Sequence, residues 1–195
     1  MIINNPERRN AISFAMREQM TRVFEEFDND PQVRVMIIRG SGGKAFISGA
    51  DISEFKNIRN NFDAEKLYAK ASEKMTDAMI AFKKPIIAMI EGYCVGGGVA
   101  TAIGADIRVA SENTKYGIPA GRLGLAYGFD NLRQLVDLVG PANAKMILFS
   151  ADMFDAAKAL QIGLVNNVVP QDELESTVLE LANKIANNAP LTVCA

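Results

Sequence analysis

Ile86-Ile87-Ala88-Met89-Ile90-Glu91-Gly92-Tyr93-Cys94-Val95-Gly96-Gly97-Gly98-Val99-Ala100-Thr101-Ala102-Ile103 is an apolar run, a turn, three consecutive glycines and then small residues. It reads as a buried strand, a tight turn and a helix that starts inside the glycine triplet. Glycine at a helix start lets the backbone come close to a ligand, and the first helical N–H groups have no partner within the helix. Such a place can hold an oxyanion. The same residues also suit a glycine-rich buried helix packed against a neighbour, and the stretch alone does not separate the two.

Two phosphate-binding motifs are excluded by spelling. A P-loop ends in Gly-Lys-Ser/Thr, but Gly98 is followed by Val99 and Ala100; a dinucleotide fingerprint beginning at Gly96 needs glycine where Thr101 stands. Glu91 interrupts the apolar residues, and the uncharged stretch after it is shorter than the roughly 20 residues a bilayer requires. No membrane span is expected.

The chain has 195 residues, 49% hydrophobic and 23% charged, enough for one sizeable core in a globular domain. A net charge of -2 argues against nucleic acid as the main partner and favours small-molecule chemistry. The two cysteines, Cys94 and Cys194, cannot build a disulfide framework, and Met1-Ile2-Ile3-Asn4-Asn5-Pro6 has no signal-peptide character, so a cytoplasmic protein is expected. There is no histidine. That removes Ser-His-Asp and Cys-His catalysis and every His-containing metal site, leaving carboxylates, tyrosines, lysines and backbone groups.

Outward from the glycine stretch, the pattern is α/β. Met1 to Ile3 reads as the end of a strand, and Ser13 as the N-cap of a helix carrying Met16, Met20, Val23, Phe24 and Phe27. Val33 to Gly40 is a mostly buried strand, Ala45 to Ser48 a short extended piece, and Gly49 to Ile52 a turn that opens another helix. Lys56 to Asn61 is a polar, mobile connection to an amphipathic helix marked by Leu67, Ala71, Met75, Ala78, Met79 and Phe82. Further strands are expected at Ala105 to Ala110, Tyr116 to Pro119 and Leu164 to Val169, with an irregular loop from Arg122 to Gly128. Helices are expected over Asn131 to Val139, Pro141 to Phe149, Asp155 to Gly163 and around Leu174, Val178, Leu181 and Ile185. Residues 1–188 make one core domain. Ala189 to Ala195 looks like the start of a helical C-terminal region cut short.

Three blocks together resemble the crotonase superfamily, the enoyl-CoA hydratase/isomerase family: Asn5-Pro6-Glu7-Arg8-Arg9-Asn10-Ala11-Ile12, Lys44-Ala45-Phe46-Ile47-Ser48-Gly49-Ala50-Asp51-Ile52, and Gly92-Tyr93-Cys94-Val95-Gly96-Gly97-Gly98. Gly163 to Pro170 fits as well. The resemblance implies a crotonase (ClpP-like) spiral of β-β-α units, a coenzyme A thioester as substrate with no separate cofactor or metal, and a homotrimer or dimer of trimers. It also implies that the N–H groups of Ala50 and Gly97 converge on the thioester carbonyl oxygen. Arg8, Ala11, Lys44, Ala45, Ser48, Asp51 and Ile52 lie where the family holds coenzyme A, although Arg8 and Lys44 also suit an ordinary solvated loop.

Hydratases of this family carry one glutamate three residues after the middle glycine of the triplet and another after the proline of the Gly-x-Pro strand. Ala100 and Ala120 stand there instead. The resemblance therefore implies isomerase, decarboxylase or thioester hydrolase chemistry rather than efficient hydration. The remaining side-chain candidates are Asp130, which could exchange a proton if burial raised its pKa from about 3.9, and Tyr127, where decarboxylating members have a tyrosine. Asp130 also suits a helix N-cap, and Tyr127 a half-buried loop aromatic. Glu112 and Asp106 read as surface and strand-end residues. The rival readings are a noncatalytic acyl-CoA-binding trimer and, against the net charge, an RNA binder.

Overall fold

A strand covered on both faces needs apolar residues throughout, and Ile86 to Ile90 meets that condition. In the computed structural model, which describes residues 1–54, 62–125 and 127–193, these five are all buried. Ile86, Ala88 and Ile90 face the main core, while Ile87 and Met89 face a second cluster with Leu174, Val178 and Ala182.

The elements run β1 (Ile2–Ile3), α1 (Phe14–Asn29), β2 (Met36–Gly40), β3 (Ala45–Ile47), α2 (Phe62–Ala81), β4 (Ile86–Ile90), β5 (Tyr93–Val95) and α3 (Gly97–Ile103). They continue as β6 (Ile107–Ser111), β7 (Lys115–Gly117), α4 (Ala120–Leu123), α5 (Phe129–Ser150), β8 (Phe154–Asp155), α6 (Ala156–Gln161), β9 (Asn167–Val169), α7 (Leu174–Ala186) and α8 (Pro190–Val193). One sheet has the order β1-β2-β4-β6-β9 and is parallel throughout. The other has the order β3-β5-β7-β8, with β8 antiparallel at its edge. The chain lays one strand in the first sheet and the next in the second, then returns through helix: β2-β3-α2, β4-β5-α3, then β6-β7 followed by α4 and α5. These are the β-β-α turns the family resemblance implied. Ile38, Ile90 and Ala110 of the first sheet belong to the same core as Phe46, Ile47, Cys94 and Tyr116 of the second.

Local signals survive into the structure. Ser13 Oγ accepts the Met16 N–H at 3.2 Å and caps α1, and Asp155 Oδ1 accepts the Lys158 N–H at 2.8 Å and caps α6. Gly140, at φ 76° and ψ 160°, breaks α5 into the two expected helices, with Pro141 opening the second.

Other expectations are corrected. The turn after Ile90 contains β5, whose three residues are too few for alternation to show. The supposed loop from Arg122 begins inside α4, which ends on Gly124 at φ 64°. The strands expected from Val33, Ala105 and Leu164 begin at Met36, Ile107 and Asn167. Leu164 and Val165 are core residues in the connection before β9, so burial there does not imply pairing. After Gly49 the described residues form a 3-10 turn, Ile52–Glu54, and the residues that follow it lie outside the description. Lys56 to Asn61 and Cys194 lie outside the described residues.

Candidate active site

The glycine triplet positions the start of α3. Gly96 adopts φ 54° and ψ −111°, a conformation suited to glycine, and its N–H donates to the Gly117 carbonyl at 2.8 Å. Gly98 faces β3: a Cβ there would lie 2.9 Å from the Ile47 carbonyl carbon and closer still to its oxygen. Only glycine lets α3 approach β3 this closely.

The preceding turn of the spiral brings Gly49 and Ala50 to the same place. The Ile12 N–H donates to the Gly49 carbonyl at 2.8 Å and the Asp51 N–H to the Ile12 carbonyl at 3.0 Å. This isolated parallel bridge between Ile12 and Ala50 leaves the Ala50 N–H facing away from Ile12. A Cβ added to Gly97 would stand 3.8 Å from the Ala50 nitrogen and 3.7 Å from Gly49 Cα. The two backbone segments are thus adjacent, and among the described residues neither the Ala50 nor the Gly97 N–H donates a hydrogen bond. Unmatched donors side by side can stabilise charge on a single oxygen.

A cavity of about 150 Å³ adjoins this pair and is lined by Gly49, Gly97 and Ala100. Ile12, Met75 and Met79 supply apolar wall; Arg17, Asn131 and Gln134 bring polar groups. The lining hydroxyls of Ser72, Thr76 and Thr101 donate to carbonyls one turn back on their helices, at 3.0, 3.1 and 2.9 Å. Their oxygens retain acceptor capacity. A larger groove of about 980 Å³ between α1 and α2 is lined by surface residues such as Glu18, Arg22, Lys70 and Asp77 and by neither member of the donor pair, so the smaller cavity is the candidate site.

The side-chain candidates are placed unequally. Tyr127 is half-buried against the core, and its hydroxyl reaches the Gly96 carbonyl at a long 3.5 Å. Burial, with Cys94 nearby, pushes its phenol well above the usual range and keeps it neutral. Asp130 lies in the first turn of α5 and is exposed, so this chain does not supply the burial expected of a proton-exchanging carboxyl. Nor is it the N-cap: α5 starts at Phe129, and Gly128 occupies that position. Ala100 lines the cavity, whereas Ala120 opens α4 and is not among the lining residues.

The expected coenzyme A residues cluster. Ser48 Oγ donates to the Arg8 carbonyl at 3.2 Å, and the Ala11 N–H donates to the same carbonyl at 3.0 Å. Arg8 Nη1 contacts both Asp51 carboxylate oxygens, at 2.9 and 2.7 Å, and Ser53 Oγ as well. Burial would raise the Asp51 pKa, but hydrogen bonds from the Ser53 hydroxyl and N–H, with the Arg8 guanidinium, outweigh it and hold the carboxyl below its usual range. Lys44 is exposed and Ala45 buried; Ile52 opens the 3-10 turn.

Sequence reading overlooked four residues. Arg17 lies on the buried face of α1 with Met20 and Phe24, at i, i+3 and i+7; a cation on an apolar stripe was the available signal. Asn131 and Gln134, at i and i+3 on α5, share a cavity-facing side. Asn10 is fully buried at φ 57°, donating from Nδ2 to the Ser41 and Ala45 carbonyls at 2.9 and 2.6 Å and accepting the Asn5 N–H at 3.0 Å. It ties the first loop to β3.

Comparison with known proteins agrees with this architecture. The sequence model of the enoyl-CoA hydratase/isomerase family matches residues 1–195. The short-chain-enoyl-CoA hydratase of Clostridium acetobutylicum is 40% identical over 191 residues, 98% of this chain and 72% of the relative. The crotonyl-CoA hydratase of Syntrophomonas wolfei is 36% identical, covering 99% and 74%. A crystal structure of an enoyl-CoA hydratase/carnithine racemase from Magnetospirillum magneticum superimposes with a TM-score of 0.94 at 37% identity, covering 98% of this chain and 72% of that one.

Proposed function

The chain belongs to the enoyl-CoA hydratase/isomerase family, and from that premise we propose that it binds a short acyl-CoA thioester and stabilises the enolate or oxyanion formed on its carbonyl oxygen with the N–H groups of Ala50 and Gly97. The adjacency of these two unmatched donors beside a small cavity carries the reading. Negative charge builds on the carbonyl oxygen as the enolate forms, and each preorganised donor contributes about 2.7–4 kcal/mol when charge develops there. Arg8, Ala11, Lys44, Ala45, Ser48, Asp51 and Ile52 surround the coenzyme A moiety in this proposal.

Hydration needs one group to activate water and another to deliver a proton, each worth about 10²–10⁴-fold. With alanine at 100 and 120, isomerisation, decarboxylation or thioester hydrolysis is favoured, with neutral Tyr127 as the side chain that orients or protonates and exposed Asp130 as one that orients. Phe129, Met146 and Phe149 are exposed on α5, and such exposed apolar side chains support assembly into a homotrimer or paired trimers.

A second reading, a noncatalytic acyl-CoA binder, is favoured by one observation: among the described residues lining the cavity there is no carboxylate. The test is chromatography with mass spectrometry of crotonyl-, 3-enoyl-, malonyl- and methylmalonyl-CoA incubated with the protein. Double-bond migration, loss of carbon dioxide or release of free coenzyme A supports the enzyme, and Asp130→Asn and Tyr127→Phe then assign roles. Rapid hydration of crotonyl-CoA overturns the argument from Ala100 and Ala120. Tight binding with an unchanged panel selects the binder.

A further inference from the structure

We propose that the cavity beside Ala50 and Gly97 takes a short acyl chain bearing a hydroxyl group beyond its α and β carbons, held between the side-chain amides of Asn131 and Gln134 and the hydroxyl oxygens of Ser72, Thr76 and Thr101. This rests on the proposed function above, which places the thioester carbonyl at the two N–H groups. The cavity follows α3 from Gly97 past Ala100 and Thr101 to Gly104, about two turns and about 10 Å of helix. An acyl chain that begins at the donor pair runs along this wall. The volume of about 150 Å³ accommodates a benzene-sized group, so about six non-hydrogen atoms fit.

The lining is more polar than an alkyl chain needs. Ser72 and Thr76 stand one turn apart on α2, beside Met75 and Met79. Their hydroxyl protons and that of Thr101 are committed to carbonyls of their own helices, which leaves the three oxygens as acceptors. Asn131 and Gln134 stand three residues apart on α5, neighbours on one helix face, and line the same cavity. Neither side-chain amide hydrogen-bonds a described residue. Each brings two N–H donors and one carbonyl acceptor. An alkyl chain seated against these groups strips their water and returns no hydrogen bond, which is unfavourable.

The mixture of donors and acceptors selects the substituent. A hydroxyl donates one hydrogen bond and accepts others, so it gives its proton to a serine or threonine oxygen while accepting from an amide N–H. An ether or carbonyl oxygen answers only the donors, and a methylene answers neither. Arg17 is not counted among the partners: its Nη1 already donates to the Ile12 carbonyl at 3.0 Å, and its guanidinium lies over the Tyr68 ring. A site that hydrogen-bonds a substrate hydroxyl rejects the analogue lacking it more strongly than an apolar pocket rejects an added methylene, because the site's own polar groups are left unpaired. The expected order of preference is hydroxyalkyl, then ether, then alkyl.

The experiment compares two pairs of thioesters matched in the number of non-hydrogen atoms: 5-hydroxypentanoyl-CoA with hexanoyl-CoA, and 6-hydroxyhexanoyl-CoA with heptanoyl-CoA. Isothermal titration reads the affinity of each. The hydroxylated member is expected to bind at least about tenfold more tightly in at least one pair. Asn131→Leu and Gln134→Met, at half-buried positions, should each shrink that ratio by about threefold or more, weakening the hydroxylated chain and strengthening the alkyl one. Equal affinities within both pairs, a preference for the alkyl chains, or a hydroxyl preference that neither substitution reduces overturns the inference and leaves the proposed function standing, because the thioesters still bind. Failure of all four thioesters to bind refutes the proposed function and this inference together.

Discussion

Adding one methyl group at Gly97 or at Gly98 should give opposite outcomes. At Gly97 the nearest atoms to a new Cβ are Gly49 C and Cα at 3.7 Å and Ala50 N at 3.8 Å, ordinary van der Waals contacts. Gly97→Ala should therefore fold, helped by up to about 1 kcal/mol of helix propensity. Its methyl, however, lies 3.8 Å from the Ala50 nitrogen, beside the two N–H groups proposed to hold the oxyanion. Turnover should fall by about 10²–10³, the loss seen when one such donor is disabled. At Gly98 the Cβ would meet the Ile47 carbonyl carbon at 2.9 Å and Ile47 Cβ at 3.1 Å, both inside the roughly 3.5–4.0 Å optimum for carbon contacts. The helix must withdraw from β3, at a cost of about 1–3 kcal/mol. For a chain of this size each kcal/mol lowers Tm by about 2–4 °C, so a fall of about 5 °C is expected. Scanning calorimetry and acyl-CoA turnover on both variants separate the effects. Gly97→Ala with full turnover would refute the oxyanion site, and Gly98→Ala with an unchanged Tm would refute the close approach of α3 to β3.

Asn10→Ala removes two donated hydrogen bonds and two accepted ones, from the Asn5 N–H and the Ser41 hydroxyl, at a fully buried position with positive φ, and should lower stability by about 2–4 kcal/mol in urea titrations. Asp51 has a folded-state pKa below its unfolded value, so its contribution is present above about pH 4 and is lost as pH falls through the lower, folded pKa. The Tm difference between the native chain and Asp51→Asn should accordingly shrink below about pH 4; a constant gap from neutral to acid pH would count against the assignment. Tyr127 remains a neutral phenol because burial raises its pKa, so ultraviolet titration of Tyr127→Phe should remove no tyrosinate signal near pH 10.

Elements whose physics is local were legible in the sequence. Ser13 and Asp155 announce helix starts because their oxygens bond N–H groups three residues on, and Gly140-Pro141 announces a break because proline fits the first turn of a new helix. The apolar run at Ile86 announces a strand because both its faces are buried. The proposed oxyanion pair was legible only in half. Gly97 stands out in the glycine triplet, whereas Ala50 has no side-chain signature, its proposed role being that of its backbone N–H. The second sheet was harder, since β5 and β7 are three residues each and β8 is two. The cavity wall was hidden for another reason: Arg17, Ser72 and Gln134 come from three separate helices, and only the fold brings them together.

The two donors belong to consecutive turns of the spiral, separated by forty-odd residues of sequence yet joined by backbone lying against backbone at Gly98 and Ile47. The spacing of the two proposed donors therefore follows the contact between successive turns, made where backbone meets backbone. Helix α2, which lies between the two turns in sequence, contributes to the cavity wall and to neither donor. Residues there, such as Ser72, Met75 and Thr76, can change size and polarity and so redraw the acyl chamber while the donor spacing keeps its dimension. Selectivity and charge stabilisation are in this sense separately adjustable parts of one scaffold.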